Sequence, residues 1–497
     1  MMSFPNSVLR AIAVPALCFS IAIGNLVSPT VAYAETRNVA DIFSIFEPSD
    51  EQAIGASQHK KIVEQYGGEY IQEGLNDYIL DIVLRIVSTT EQRNQPWRVT
   101  VLNSPVVNAF ALPGGYVYVT RGLLALARNE AEVAGVLGHE VGHVIARHGV
   151  QRQSRATGVG ILGAIAGILT QNADVARLGQ TLGGLFIADY SRDQEYEADS
   201  LGLKYLGSSG YPRMAVADFL QRLEDHAEFE KKKAGKDGQS GQFDFFASHP
   251  QTEDRIDRAR SLARQADEGE RDNGRDRYLA ATDGLKYGDD IKEGVIRGRT
   301  FIHPDLRLTF DAPKGFQLIN STRAVYAQDR NGNRMVFDMD PRGLRGQSAA
   351  SYLQNVWMKN YQVGNIQSLD VNGAQAAYSR INIKQNNGRV TYLTAVVINF
   401  GYERVVRFAY TSKRRSNELE ERYIESFQSF RPIAYSEASK IKQLTLAIKT
   451  VGYREDLDDL VDEMPEGKFR KDLFLLLNPE FKKRDPKRGD QYKIIQD

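Results

Sequence analysis

The residues best suited to do chemistry are His139-Glu140-Val141-Gly142-His143. They fall in a run, Asn129 to His148, whose pattern predicts a long helix. Two histidines four apart then project from one face, one turn from each other. That spacing lets two ring nitrogens reach one tetrahedral zinc ion, while Glu140 points toward an activated water without being a ligand itself. A third ligand has to come from elsewhere. His148 lies five residues after His143 and is turned roughly 140° around a continuing helix. A second predicted helix, Tyr190 to Leu206, carries Glu195-Tyr196-Glu197-Ala198-Asp199. Glu195 and Asp199 share one face of it, and Glu197 is turned away by about 200°. Glu195 can therefore bind the metal, and Asp199 can accept a hydrogen bond from a ligand imidazole and set its tautomer.

Composition limits the alternatives. The chain has 497 residues, 63 basic and 63 acidic side chains and one cysteine. Its 42% hydrophobic and 25% charged residues are ordinary for globular domains, which argues against wholesale disorder and against a polytopic membrane protein. The even charge balance argues against a nucleic-acid partner. One cysteine makes neither an internal disulfide nor a cysteine-rich site, so a metal must be held by His and carboxylates. At the N-terminus, Arg10 is the only charge before Glu35, Ala11 to Val31 is mostly apolar, and Ala32-Tyr33-Ala34 supplies small residues for a signal peptidase. Residues 1–34 are expected to be a secretory signal peptide cut after Ala34, leaving a periplasmic or otherwise exported chain. Leu17 before Cys18 is too large for a lipoprotein signal.

The elements that must position the site follow from periodicity. Residues 35–265 read as mainly helical, with strands at Trp97–Leu102 and Gly115–Thr120. Gly158 to Leu169 is apolar but well short of the roughly 20 residues a membrane span needs. It reads as a buried or substrate-facing helix, with peripheral membrane contact as the other reading. The charged run from Ala263 to Tyr278 reads as a helix end entering a linker over 266–298. Residues 299–435 read as an α+β domain, with Asn331-Gly332 and Asn387-Gly388 as hairpin turns and helices near Ser348–Lys359 and Asn417–Phe430. Its only histidine is His303, and binding or positioning is its expected role. Residues 436–497 read as a small α/β unit with helices at Val451–Met464 and Leu473–Asn478 and a closing strand at Tyr492–Ile495. Its basic patch, Lys482-Lys483-Arg484 with Lys487-Arg488, reads as solvated surface.

Five motifs stand in one order: Asn108 to Gly115, Thr120-Arg121-Gly122-Leu123-Leu124, His139 to His143, Glu195 to Asp199, and Ser248-His249-Pro250. Through them the chain resembles the gluzincin metallopeptidases related to the CaaX prenyl proteases and HtpX-type enzymes, particularly the soluble BepA-like branch. The resemblance implies one Zn2+ held by His139, His143 and Glu195, with Glu140 as the catalytic carboxylate. It implies an endopeptidase acting on misfolded polypeptides of the cell envelope. His249 and Arg255 are both candidate donors to a developing oxyanion. The resemblance gives His249 a second role, occupying the open zinc position and holding the enzyme latent. The strand Asn108-Ala109-Phe110-Ala111 is expected to take an extended substrate as an added strand.

BepA-like proteins often carry tetratricopeptide repeats after the protease, and an α+β domain stands there in this chain. The tail resembles a LysM-like peptidoglycan-binding module through Leu475-Leu476-Leu477-Asn478 and Arg488 to Ile494, without that family's early Gly-Asp-Thr. The alternative class is a chaperone-like or scaffold protein of the envelope with a closed metal site.

Overall fold

The computed structural model describes residues 48–149, 190–234, 245, 249, 254–265, 271–322, 324–384, 390–401 and 404–497. The expected signal peptide with Cys18, the apolar run Gly158–Leu169, the Asn387-Gly388 turn, and Ser248 and Pro250 lie outside these residues.

Helix α1 (Pro48–Gln65) is followed by α2 (Leu75–Val87), which buries Leu75, Ile79, Ile82, Val83, Ile86 and Val87 along one stripe. Strands β1 (Arg98–Leu102), β2 (Ala109–Leu112) and β3 (Tyr116–Thr120) form a sheet of order β1-β3-β2. The β1–β3 pair is parallel and the β2–β3 pair antiparallel, so β2 is an edge strand. The short helix α3 (Arg121–Leu126) leads into α4 (Glu130–Ile145), which is capped by the Asn129 side chain and buried from Glu130 to Val144. A helix surrounded on all sides needs small or apolar residues, or polar ones that find partners. Glu130, for example, accepts hydrogen bonds from the hydroxyls of Tyr78 and Tyr211 at 2.7 and 2.6 Å.

Helix α5 (Arg192–Ser208) begins at a capping box between Ser191 and Gln194 and packs across α4. Two glycines permit the close crossing. A Cβ on Gly202 would lie 3.1 Å from the His139 amide nitrogen, and one on Gly142 would lie 3.1 Å from the Ala198 carbonyl oxygen. Helices α6 (Met214–Ala234) and α7 (Arg255–Arg264) pack together and complete the helical shell.

Residues 271–298, read above as linker, are folded instead. They include helix α8 (Arg275–Thr282), with Tyr278 and Leu279 fully buried, strand β4 (Lys286–Tyr287) and strand β5 (Val295–Arg297). The charges that suggested solvent are paired across the fold. Arg277 bonds Glu130 and Asp272, and Arg275 bonds Glu480 at 2.8 Å.

The next strands are β6 (Thr300–His303), β7 (Leu308–Asp311), β8 (Gln317–Asn320), β9 (Val325–Gln328) and β10 (Arg334–Asp340). They are followed by β11 (Ile366–Val371), β12 (Ala374–Lys384), β13 (Val390–Asn399), β14 (Val405–Ser412) and β15 (Arg431–Pro432). A seven-stranded sheet of order β11-β12-β13-β14-β10-β9-β8 packs against a four-stranded sheet of order β15-β7-β6-β5. An aromatic layer joins them, including Phe301, Phe310, Phe337 and Phe408, with Leu419, Tyr423 and Phe427 of the helix Asn417–Gln428. Tyr352, Leu353 and Trp357 cover the other face of the larger sheet. Asn331-Gly332 does join β9 to β10, with Gly332 at φ 76°.

The chain ends with β16 (Leu444–Thr450), helices Leu457–Asp462 and Arg470–Leu477, and β17 (Gln491–Gln496). The β16–β17 pair is antiparallel, and β4 adds to β16 on its other side. This βααβ tail is not free-standing: Leu446, Phe474 and Ile494 belong to the same apolar core as Val133, Leu137 and Phe219 of the helical domain. The ammonium of Lys493, only 1% exposed, donates to the carbonyls of Ala125 and Ala127. The molecule is thus an α+β protein in which chain order and packing units do not coincide.

Candidate metal centre

The α4–α5 crossing brings His139 and His143 opposite Glu195 and Asp199. His139 Nε2 and His143 Nε2 are 3.0 Å apart. They stand 3.6 and 3.5 Å from the two oxygens of Glu195. His249 Nδ1 joins them, 3.3 Å from His139 Nε2 and 3.1 Å from Glu195 Oε1. One ligand atom from each of these four buried residues lies within 4.8 Å of all the others. Zinc–nitrogen bonds of about 2.0–2.1 Å imply tetrahedral edges of about 3.3 Å, so these spacings fit a single zinc ion.

The ligand rings are held from behind. His139 Nδ1 lies 2.9 Å from Asp199 Oδ1, which leaves Nε2 as the donor to a metal. Arg255 donates to both Asp199 oxygens at 2.8 Å and forms an ion pair with Glu195 Oε2 at 2.7 Å. Burial pushes the Asp199 carboxyl up, but its hydrogen bonds to Arg255 and His139 outweigh that and hold it down at about 2. The same contest holds Glu195 far below the carboxylate range: burial is overcome by His249, His143 and His139. Burial also keeps the His143 imidazole well below its ordinary value, so it is a neutral donor.

Glu140 is fully buried one position after His139, with Oε1 3.4 Å from His249 Nε2. At the cluster the His249 amide bonds the Phe245 carbonyl at 3.0 Å. The Phe245 ring stacks on His249 at 4.3 Å, and the Phe245 amide bonds the Val107 carbonyl at 3.0 Å, just before β2. Asn108, Ala109 and Ala111 are buried and Phe110 half-buried, and β2 pairs only with β3 among the described residues.

Two expectations change on this geometry. Arg255, expected as a candidate donor to an oxyanion, is engaged by two carboxylates, Asp199 and Glu195. His148 stays outside the ligand set but not for the reason given by a continuing helix. Helix α4 ends at Ile145, and Arg147 at φ 55° reverses the chain. His148 Nδ1 then comes back to 2.9 Å from His143 Nδ1, and its Nε2 lies 3.2 Å from Glu197. Glu197, predicted to point away, therefore supports the site at one remove. Tyr190, stacked on His143 at 3.8 Å, was not singled out from sequence at all. Gly149 was the one visible hint that the helix stops early.

Two facing helices, a His-Glu-x-x-His set and a carboxylate from the second helix are the arrangement that the gluzincin resemblance leads one to expect. Residues 74–263 match the family described as Peptidase family M48. The Beta-barrel assembly-enhancing protease of Escherichia coli (strain K12) is 31% identical over 200 residues, 38% of this chain and 39% of that protein. The Mitochondrial metalloendopeptidase OMA1 of Arabidopsis thaliana is 36% identical over 165 residues, 33% of this chain and 31% of that protein. The chain thus spans well under two thirds of the length of either relative.

Proposed function

We propose that this protein is a zinc-dependent endopeptidase of the cell envelope that cuts misfolded or misassembled polypeptides. The observation that carries this reading is the buried quartet of ligand atoms with Glu140 beside it. Zinc in this site supplies a Lewis acid for the scissile carbonyl and makes a nearby water more acidic. Glu140 takes the proton from that water and returns it to the leaving amine. Asp199 and His148 hold the ligand rings, and Arg255 holds the ligand carboxylate. The edge of β2 away from β3, at Asn108–Ala111, without a partner strand among the described residues, receives the extended substrate backbone.

The fourth ligand position belongs to His249 in this reading. With His249 as a fourth ligand the site would be closed to water, so this conformation reads as latent, and withdrawal of His249 would activate it. A chaperone-like or scaffold role is the second reading, supported by the same closed set. Zinc content, together with cleavage of an unfolded protein by the wild type and by Glu140→Gln, separates the two. Equal cleavage by both would sink the peptidase reading.

The location follows from the N-terminal pattern: residues 1–34 act as a signal peptide, and the mature chain is periplasmic or otherwise exported. No helix among the described residues is long and apolar enough to cross a membrane. Peripheral membrane contact through Gly158–Leu169 is a further element of the proposal. The βααβ order of the tail supports a LysM-like glycan contact. Retention of the full chain on peptidoglycan sacculi tests it, with a chain altered at Arg488 and Tyr453 as the comparison.

A further inference from the structure

Beside His143 lies a narrow cleft, with only about 10 Å³ of free space while Glu51 is in place, whose walls include Leu112 and Pro113 at the end of β2, with Tyr190 opposite. Across it lies an ion pair: Arg147 Nε donates to Glu51 Oε1 at 2.6 Å, and Nη2 approaches the same oxygen. Arg147 is the one permanent cation among the described lining residues. Glu51 comes from another element, the first turn of α1, and its side chain is 11% exposed against 34% for Arg147.

Helix α1 is held there by contact with the β2–β3 turn. Gly114, at φ 85°, approaches Gln52 so closely that a Cβ would sit 2.6 Å from the Gln52 Cα. His59 Nδ1 lies 2.9 Å from the Tyr118 hydroxyl on the neighbouring strand. A carboxylate is thus delivered from α1 into a cleft whose other polar side chains are Arg147, His143 and Tyr190.

We propose that this cleft is a specificity subsite for an acidic side chain of the substrate, that Arg147 binds its carboxylate, and that Glu51 occupies the subsite in its place. The inference rests on the peptidase reading for the cleft's use, but the chemistry of the pair stands on its own. A polypeptide lying along β2 passes the cleft mouth at Leu112, so a Glu or Asp at the matching position meets Arg147 directly. To do so it displaces Glu51, and α1 therefore competes with substrate for one guanidinium.

Binding tests this without requiring turnover. The full zinc-loaded chain with Glu140→Gln is titrated with an end-blocked Ala/Val decapeptide carrying one central Glu, and with the same peptide carrying Gln. Adding Glu51→Gln should tighten the Glu peptide about tenfold at low salt, the scale of one charge-assisted contact, and leave the Gln peptide unchanged. Arg147→Gln should abolish the difference, and Arg147→Lys should keep part of it, which separates lost charge from lost folding. A Gln peptide with a free C-terminal carboxylate distinguishes the carboxylate's source. Equal affinity for the Glu and Gln peptides in the Glu51→Gln chain overturns the proposal. So does a preference that survives Arg147→Gln, or a free C-terminus binding as well as the central Glu. Absence of cleavage by the zinc-loaded wild type, with the binding preference intact, instead counts against the peptidase reading alone.

Discussion

At the scale of single residues, the centre depends on what stands behind each ligand. His249 is the clearest case, since it adds a fourth donor to a set that needs three. His249→Ala should raise cleavage of an unfolded protein while zinc content stays near one per chain; unchanged or lower cleavage would count against latency. Asp199 carries the opposite expectation. Asp199→Asn leaves the buried Arg255 without its doubly hydrogen-bonded counter-charge and His139 without an ionised acceptor. Removing one partner of a buried pair costs about 3–5 kcal/mol, and losing such ligand support costs roughly 10–100-fold in metal affinity. The sign with pH is set by the depressed Asp199 carboxyl. Its contribution is present above the ordinary carboxylate value and is lost as pH falls toward about 2. The stability gap between wild type and Asp199→Asn, from chemical denaturation, should therefore shrink on acidification through that window. A gap that widens would refute the assignment.

At the scale of elements, the crossing of α4 and α5 decides whether the ligands meet. Gly202 lies directly against the His139 backbone, so Gly202→Val should force the helices apart, costing about 1–3 kcal/mol by overpacking. The diagnostic readout is zinc retention under a competing chelator, which should fall more than thermal stability alone explains. Normal retention would show that the crossing tolerates the added bulk. The edge strand has an analogous dependence on α1. Gly114→Ala meets both a left-handed backbone and the Gln52 main chain. It should loosen α1, detected as faster amide exchange over residues 51–65; unchanged exchange would contradict the packing argument.

At the scale of the whole molecule, the tail and the helical domain are one cooperative unit through their shared core. Lys493 makes this measurable. Burial pushes its ammonium down to about 7, whereas an unfolded lysine titrates in the ordinary range near 10.5. Between those values the unfolded chain binds a proton that the fold does not, so stability should rise with pH. The slope is at most about 1.4 kcal/mol per pH unit and should disappear in Lys493→Met. Denaturation curves at pH 7 and 9.5 compare the two, and an equal slope in both would remove Lys493 as the cause.

The local pattern was enough to put the candidate ligands on shared helix faces. Four-residue spacing of His139 and His143, and of Glu195 and Asp199, is a property of any helix, so their shared faces could be read before any packing was known. The strand at β3, the Asn331-Gly332 turn and the closing strand β17 were legible for the same reason: alternation and turn chemistry act over a few residues. Contacts between distant segments carry no such signature. The return of His148 depends on a single left-handed residue, the pairing of Arg255 depends on the Asp199 carboxylate 56 residues away, and the folding of Arg275–Thr282 depends on acids far along the chain. The sequence by itself determined which side chains could hold zinc and move a proton. Only the tertiary structure decided which of them meet, because burial and pairing are set by the segment that arrives from elsewhere.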